Sequence, residues 1–302
     1  MLIPPYLKKG DKVAIVSPAS AVNPDYVDKA CAMLVQWGYE PVVGRHCKGR
    51  YGYYSGTLDE RKGDFMEALL NPEIKAILCS RGGYGAVHLA EYLSDDLIRS
   101  NPKWIIGFSD ISVLHALWNR AGVTSIHASM AKHMAQHDAE ERCNAALRDI
   151  LRGVYPEYEV PGHEYNRAGS AQGELVGGNL AVLAGLIGTD ADILKGGKIL
   201  FVEDIAEPIY KVERILYSLR LSGVLASVKG IVVGRFTQYE EPNSSGETMY
   251  GMIRAVVSPY NFPVAYGFPV GHIEENLPMV EGSLVDLSVS QAKVSLSFKT
   301  KL

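Results

Sequence analysis

A short apolar run that ends in a serine is the first feature of this 302-residue chain that could carry chemistry. Trp104, Ile105 and Ile106 have strand propensity, and apolar side chains recur at helical spacing after Asp110. Ser109 is therefore predicted at a sharp turn from strand to helix, where nearby helix N–H groups can stabilise an oxyanion. From this stretch alone, the simpler reading is that Ser109 or Asp110 is a helix N-cap.

Two further side chains with acid–base chemistry fall at predicted strand ends. Glu203 closes the apolar strand 198–202, and His272 follows another strand in a segment rich in glycine and proline. A carboxylate at a sheet edge can orient an imidazole, although each residue alone is more commonly solvated. The chain order Ser109, Glu203, His272 is that of one known serine-hydrolase architecture. Together the three positions favour a catalytic triad.

A glycine-rich turn, Cys79–Gly85, follows a predicted strand and precedes a predicted helix. Its backbone N–H groups could hold an anion. The turn lacks the Gly-Lys-Ser/Thr ending of a phosphate loop and has an incomplete dinucleotide fingerprint, so we expect an oxyanion donor or a tight turn. Cys79 is an alternative nucleophile, but its apolar strand favours a buried, inert thiol.

Three histidines could bind a metal ion. His133 and His137 lie four residues apart on a predicted helix, and His127 is nearby. The glutamate of a zinc-protease helix is missing between them, so a solvated helix face is the better interpretation. We therefore predict an enzyme with no metal and no cofactor.

The composition limits the partners of the protein. A net charge of −4 and a pI near 6.1 give no basic field for nucleic acid or an anionic membrane, so a small-molecule partner is expected. The first ten residues lack a signal-peptide core, which predicts a cytoplasmic location. Whether the chain forms a homodimer is left open. We expect reduced thiols at the four cysteines, which lack zinc or redox spacing: Cys31, Cys47, Cys79 and Cys143.

Strands and helices alternate from Lys12 to His127, which predicts an α/β domain with a parallel sheet covered on both faces. Ligands of such sheets bind beyond the carboxyl ends of the strands. The periodicity is interrupted between Arg152 and Gly173, so we place the boundary there, with residues 1–160 as the first domain and 161–302 as the second. The second domain is expected to be rich in β-structure and to end in a hairpin. Helices are predicted near Ala86–Leu93 and from Gly177 to Ile187.

Taken in order, these segments resemble the LD-carboxypeptidase family of serine peptidases, which includes murein tetrapeptide carboxypeptidases and microcin C self-immunity peptidases. The resemblance covers nearly the whole chain. It rests on Val16-Ser17-Pro18, Arg81-Gly82-Gly83-Tyr84-Gly85, Ile106-Gly107-Phe108-Ser109-Asp110, Gly177-Gly178-Asn179-Leu180, Glu203-Asp204, Lys229-Gly230-Ile231 and Gly271-His272.

The resemblance implies an amidotransferase-like α/β N-terminal domain joined to a smaller β-rich C-terminal domain. It implies Ser109 as nucleophile, His272 as general base and Glu203 as the orienting carboxylate, with the triad divided between the domains. It also implies oxyanion donors from the backbone of Asp110 and of the Gly82-Gly83 turn.

The expected reaction is release of terminal D-alanine from cytoplasmic murein tetrapeptides during cell-wall recycling. A free terminal carboxylate needs a cation, and Arg81 and Arg235 are candidates by position. Two departures from the family, His127-Ala128-Ser129 and His88, lie near the predicted pocket and leave the true substrate open. The alternatives are cleavage of a microcin C-like aminoacyl nucleotide and a non-catalytic module that binds a small anion.

Overall fold

The computed structural model describes residues 1–240 and 248–299, and the chain divides into two compact units. The first unit is Met1–Val154 together with Glu274–Gly282, and the second is Tyr155–Ile273 together with the chain from Ser283 onward. Within the described ranges, no helix combines the length and hydrophobicity needed to span a bilayer.

The strands are β1 (Lys12–Val16), β2 (Glu40–Val43), β3 (Ile74–Cys79), β4 (Trp104–Gly107), β5 (Ser125–His127), β6 (Glu157–Pro161), β7 (Gly169–Asn179), β8 (Ile199–Ile205), β9 (Gly230–Thr237), β10 (Val264–Tyr266), β11 (Met279–Glu281), β12 (Leu284–Val289) and β13 (Lys293–Phe298). The α-helices are α1 (Pro24–Gln36), α2 (Leu58–Leu70), α3 (Asp95–Ser100), α4 (Ser112–Arg120), α5 (Ala131–Gln136), α6 (Arg142–Leu151), α7 (Leu180–Ala184), α8 (Ile209–Leu221), α9 (Val224–Ser227) and α10 (Met249–Val257).

The sheet of the first unit positions the Ser109 turn. Its order is β11-β5-β4-β3-β1-β2, in which β1 to β5 run parallel to one another and β11 runs antiparallel to β5. Because β3 lies between β4 and β1, the glycine turn after β3 comes beside the serine turn after β4. The apolar face of α2 contributes Phe65, which packs edge-on against Trp118 of α4, with ring centroids 6.2 Å apart. These rings are fully buried and hold the helices against the sheet.

The sheet of the second unit is half parallel and half antiparallel. Its order is β10-β9-β8-β7-β12-β13-β6, with parallel pairing from β10 to β7 and antiparallel pairing from β7 to β6. Asn179, the last residue of β7, lies opposite Glu203 of β8. A mixed α/β protein with a β-rich second unit is the fold class that the sequence predicts.

The division of the chain differs from the predicted boundary at residues 160 and 161. The units separate at Val154, and the predicted boundary would cut β6. The segment Glu274–Gly282 belongs to the first unit because β11 pairs antiparallel with β5, placing Met279 opposite His127. Such a return of the chain depends on tertiary pairing, which local sequence patterns do not report.

Two predicted elements differ from those observed. The segment predicted as a helix near Ala86–Leu93 is a 3₁₀ helix, Ala86–Tyr92. The predicted helix from Gly177 to Ile187 is shorter, because β7 continues to Asn179 and α7 ends at Ala184. The backbone packs so closely that a Cβ at position 177 would lie 1.9 Å from the carbonyl oxygen of Phe201. Gly177 therefore allows close strand packing and does not begin a helix.

Candidate active site

Ser109 is the first residue of a 3₁₀ turn, Ser109–Ile111, that joins β4 to α4. Its φ is 66°, in the left-handed region that costs a non-glycine residue roughly 1–2 kcal/mol. Within this described stretch, neither the turn nor α4 has a side-chain capping hydrogen bond, so the N-cap reading of Ser109 or Asp110 is wrong. The strained, half-buried serine has the backbone of a nucleophile turn.

The glycine turn lies directly against this serine. A Cβ at Gly82 would lie 2.9 Å from Cβ of Ser109 and 3.1 Å from the backbone nitrogen of Asp110. Gly83 has a φ of 95°, and a Cβ there would lie 2.2 Å from Oγ of Ser20. Larger residues are therefore excluded at both positions. The structure brings together the residues predicted as oxyanion donors, namely Gly82, Gly83 and Asp110.

The carboxylate of Asp110 ties the glycine turn to the serine turn. Its Oδ2 accepts a hydrogen bond from the backbone N–H of Ala86 at 2.8 Å. Asp110 is 4% exposed, and this burial raises the pKa of its carboxyl above the ordinary value. The side chain therefore has a structural role beside its predicted backbone contribution.

In the second unit, His272 and Glu203 form a hydrogen-bonded pair. Nδ1 of His272 lies 2.7 Å from Oε2 of Glu203. Glu203 is fully buried near the carboxyl end of β8, whereas His272 is half-buried. Because a carboxylate only accepts, Nδ1 carries the proton and a neutral ring has its lone pair on Nε2. This is the orientation that a general base requires.

A glycine brings the histidine loop onto this carboxylate. Gly271 has a φ of 122°, and a Cβ there would lie 2.8 Å from both Cβ and Oε2 of Glu203. Any larger residue would push the loop away from β8. The Gly271-His272 sequence therefore has a steric reason, because the glycine permits the short contact made by the next residue.

Asp204 and Asn179 form a second buried network beside Glu203. Oδ1 of Asp204 accepts from Nδ2 of Asn179 at 2.8 Å, and Oδ2 accepts from the N–H of Ala181 at 2.8 Å. Desolvation raises the pKa of Asp204 to about 6. Both residues belong to the family motifs, and the motifs alone indicate no role for them. The network fixes the chain where β7 passes into α7, next to the strand that carries Glu203.

The two arginines predicted to bind substrate lie in different units. In the first unit, Nη1 of Arg81 donates to the carbonyl oxygen of Ala21 at 2.6 Å. In the second unit, Arg235 is an exposed residue of β9. Arg81 follows the end of β3 and Arg235 lies near the end of β9, and the contact of either guanidinium with substrate stays a prediction.

All four cysteines are free, as the sequence analysis expected. Cys79 is fully buried, and desolvation raises the pKa of its thiol far above the ordinary value. The nucleophile of a cysteine enzyme is a thiolate, so the structure disfavours Cys79 as the nucleophile.

The three histidines considered as metal ligands, His127, His133 and His137, lie in different environments. His133 is half-buried with Nε2 2.9 Å from Oε2 of Glu141, and its ring stacks on that of His137. The solvated helix face predicted for this pair is therefore wrong. Ligand atoms of His133, Glu141 and Cys143 lie within 4.8 Å of one another, but Glu141 already caps α6 by accepting two backbone N–H groups. His127 is fully buried in β5.

Sequence reasoning missed Arg61, a cation buried at the edge of the sheet where Ser109 lies. The residue is 3% exposed and donates to the backbone carbonyls of Pro18 and Gly85. A signal was present, because Arg61 precedes Phe65 and Leu69 at intervals of four residues on the buried face of α2. A charged residue in such a register indicates a buried cation with fixed acceptors.

The chain matches two protein-family models that together cover most of its length. The LD-carboxypeptidase N-terminal domain family matches residues 13–128, and the corresponding C-terminal domain family matches residues 172–287. A probable murein peptide carboxypeptidase of Bacillus subtilis is 31% identical over 95% of this chain and 92% of its own. The murein tetrapeptide carboxypeptidase of Pseudomonas aeruginosa is 34% identical over 88% of this chain and 89% of its own.

Solved structures show the same architecture. A muramoyltetrapeptide carboxypeptidase from Oxalobacter formigenes superimposes with a TM-score of 0.85 at 29% identity, covering 95% of this chain and 98% of the other. The microcin C7 self-immunity protein MccF of Escherichia coli is 26% identical over 96% of this chain and 94% of its own. The resemblance stated from the sequence motifs is confirmed, and this chain belongs to the LD-carboxypeptidase family, peptidase family S66.

Proposed function

We propose that this protein is a serine carboxypeptidase that releases terminal D-alanine from murein tetrapeptides. The observation that carries the proposal is the 2.7 Å contact between Nδ1 of His272 and the fully buried carboxylate of Glu203. Such a contact orients a histidine as a general base. Family membership and the strained Ser109 support the same chemistry.

The reaction follows from the residue types. Nε2 of His272 takes the proton of the Ser109 hydroxyl as Oγ attacks the carbonyl carbon of the terminal peptide bond. The tetrahedral intermediate collapses when the imidazolium gives that proton to the leaving amine of D-alanine. Water, activated by the same imidazole, then hydrolyses the acyl-enzyme. Buried Glu203 stabilises the imidazolium in each half of the cycle.

The oxyanion of the intermediate needs donors that are in place before the reaction. In this proposal they are the backbone N–H groups of Asp110 and of the Gly82-Gly83 turn, which lie beside Ser109. Removal of one such donor typically costs about 3 kcal/mol of transition-state stabilisation. Glycine suits these positions because its N–H is not shielded by a side chain.

The substrate assignment is supported by relatives named murein peptide carboxypeptidases. A terminal carboxylate would pair with a guanidinium, for which Arg81 and Arg235 are our candidates. We place the reaction in the cytoplasm, where recycled wall fragments would be the substrate. The acidic chain lacks the net positive charge that would attract it to polymeric anionic wall.

The test supplies purified enzyme with the tetrapeptide L-Ala-D-Glu-diaminopimelate-D-Ala, its all-L counterpart and an aminoacyl nucleotide. We expect D-alanine to be released from the first, and the all-L peptide to stay intact. Cleavage of the nucleotide conjugate alone would reject the murein substrate while keeping the serine mechanism.

The nucleotide conjugate is included for a specific reason. MccF, a relative at 26% identity, has been solved with aspartyl sulfamoyl adenosine and with glutamyl sulfamoyl guanosine. An aminoacyl-nucleotide amidase is therefore the second candidate function. A non-catalytic anion-binding module is the third, and it is rejected if a fluorophosphonate labels Ser109 in the wild type and not in His272→Ala.

A further inference from the structure

Arg61 is a buried cation in the first turn of α2 whose side chain reaches three loops. Its Nη1 donates to the carbonyl oxygens of Pro18 at 2.7 Å and Gly85 at 3.1 Å, and its Nε donates to that of Gly56 at 3.2 Å. These carbonyls belong to the loop after β1, the turn after β3 and the segment that precedes α2. One guanidinium thus links three stretches at the carboxyl edge of the sheet.

The remaining face of Arg61 is closed by rings. Its Nη2 lies 3.1 Å from Nδ1 of His88, and its Cζ lies 4.7 Å from the centroid of the Tyr54 ring. Arginine stays protonated and has no acceptor, so Nδ1 of His88 accepts and the ring proton is on Nε2. A planar guanidinium with five donors suits this set of acceptors, whereas an ammonium offers a single nitrogen.

The loop held by Arg61 is the one that touches Ser109. The turn 82–85 is fixed at its far end by Arg61 through Gly85 and, one residue later, by Asp110 through the N–H of Ala86. At its near end, the N–H of Ser20 donates to the carbonyl of Gly82, and Oγ of Ser20 accepts from the N–H of Tyr84. Without Arg61, the carbonyl of Gly85 would keep only the N–H of His88 as donor, and this end of the turn would be held less firmly.

We infer that Arg61 is a positioning residue for the reaction at Ser109, because its guanidinium holds the glycine turn where the turn's N–H groups can stabilise the oxyanion. The inference rests on the proposed function, since it assumes that an oxyanion forms beside Ser109. It adds a residue of α2 to a site otherwise built from strand ends. An oxyanion donor displaced by even 1 Å loses much of its effect. The position in which Arg61 holds the turn therefore affects the rate.

The test compares Arg61→Met and Arg61→Lys with a matched control, Lys103→Met. Lys103 is also a buried cation, 5% exposed, and its Nζ donates to the carbonyls of Asn71 and Ile74 at the amino-terminal edge of the same sheet. Both Met variants therefore remove a buried charge and the side-chain donor to several backbone carbonyls. Only the Arg61 variant disturbs the serine side of the sheet.

Two rates are measured below the unfolding temperature of every variant: release of D-alanine, and labelling of Ser109 by a fluorophosphonate. For Arg61→Met we expect kcat and the labelling rate to fall about 100-fold with KM changed less than about threefold, as for the loss of an oxyanion donor. Arg61→Lys should recover part of the loss. Lys103→Met should keep both rates within about threefold of the wild type.

Wild-type rates in folded Arg61→Met, or equal losses in the two Met variants, would overturn the inference. If Arg61→Met fails to fold, the same criteria apply to Arg61→Lys. The labelling rate separates the two proposals: if wild-type Ser109 is labelled but no D-alanine appears, the substrate is wrong and the Arg61 comparison still decides. Absence of wild-type labelling would reject both.

Discussion

The backbone of Ser109 has a conformational strain that its proposed role as nucleophile would explain. A φ of 66° is strained for serine and relaxed for glycine. We predict that Ser109→Ala and Ser109→Gly both reduce turnover by on the order of a million-fold, as in other serine triads. We also expect the glycine variant to be more stable than the alanine variant by about 1 kcal/mol, because both lack the hydroxyl and only one relieves the strain.

Urea unfolding of the two variants side by side measures this difference, and D-alanine release measures turnover. Equal unfolding free energies would contradict a strained serine. Retention of more than a tenth of wild-type activity by either variant would reject Ser109 as the nucleophile.

Glu203 offers a second test at the level of one residue. Glu203→Gln keeps the volume of the side chain but removes the charge that stabilises the imidazolium, and its amide can present N–H to Nδ1 and favour the wrong tautomer. We expect kcat to fall about 10³–10⁴-fold with a small change in KM, by analogy with the corresponding change in a serine protease triad. The exposed Glu159→Gln is the matched control. A loss below tenfold would show that Glu203 does not orient the base.

The helix that follows Ser109 contains a buried histidine with a predictable effect on stability. Nε2 of His115 lies 2.9 Å from the carbonyl oxygen of Gly107, and Nδ1 lies 2.8 Å from Oγ of Ser125. The carboxylate of Glu281 is 3.9 Å from Nδ1, and the His127 ring centroid is 6.3 Å away. Full burial lowers the pKa of His115 to about 4.

This pKa lies below the ordinary value of about 6.5. Between the two values, His115 binds a proton in the unfolded chain but not in the native chain. His115 should therefore lower the unfolding free energy as pH falls from about 6.5 to about 4, by up to about 3 kcal/mol. In His115→Gln this part of the pH dependence should disappear. Unfolding free energies at pH 7, 6 and 5 measure it, and parallel curves for variant and wild type would contradict the prediction.

Element types were predictable where local patterns and packing agree. β1, β3 and β4 are apolar runs bounded by turn residues, and they occur where the sequence predicts them. β6 was missed although its burial alternates strictly, because Pro156, Pro161 and Gly162 obscure the alternation. The sequence also predicts a polar loop at Glu240–Gly246, of which only Glu240 is among the described residues. The alternation of polar and apolar residues thus failed to predict a strand that contains or adjoins proline and glycine.

At the scale of the whole molecule, the sequence indicated the candidate catalytic residues better than the contacts that hold them in place. Ser109, Glu203 and His272 were selected because each falls at the end of a predicted strand, and ligands of α/β sheets bind beyond strand ends. The register of α2 indicates that Arg61 is buried, but its acceptors are backbone carbonyls in three loops and leave no trace in residue type, so its contacts could not be predicted. The reuse of Glu274–Gly282 by the first unit is equally invisible, because it depends on pairing across more than a hundred residues.

That reuse leads to a prediction about where the chain can be cut. A fragment of residues 1–160 lacks β11, whose main chain pairs with β5 and whose Met279 and Val280 are fully buried. The fragment would expose an unpaired strand edge and the apolar surface beneath it. We expect it to aggregate or to show poorly dispersed amide resonances, despite containing β1 to β5.

The matched polypeptide joins residues 1–154 to 274–282 through a flexible Gly-Ser linker, which restores the missing edge strand at little entropic cost. This version should be monomeric, with a cooperative thermal transition and dispersed resonances. A third version, in which Met279 and Val280 are both replaced by serine, should behave like the short fragment because pairing without apolar burial is insufficient. A well-folded 1–160 fragment would show that β11 is dispensable and that the first unit is complete without the returning segment.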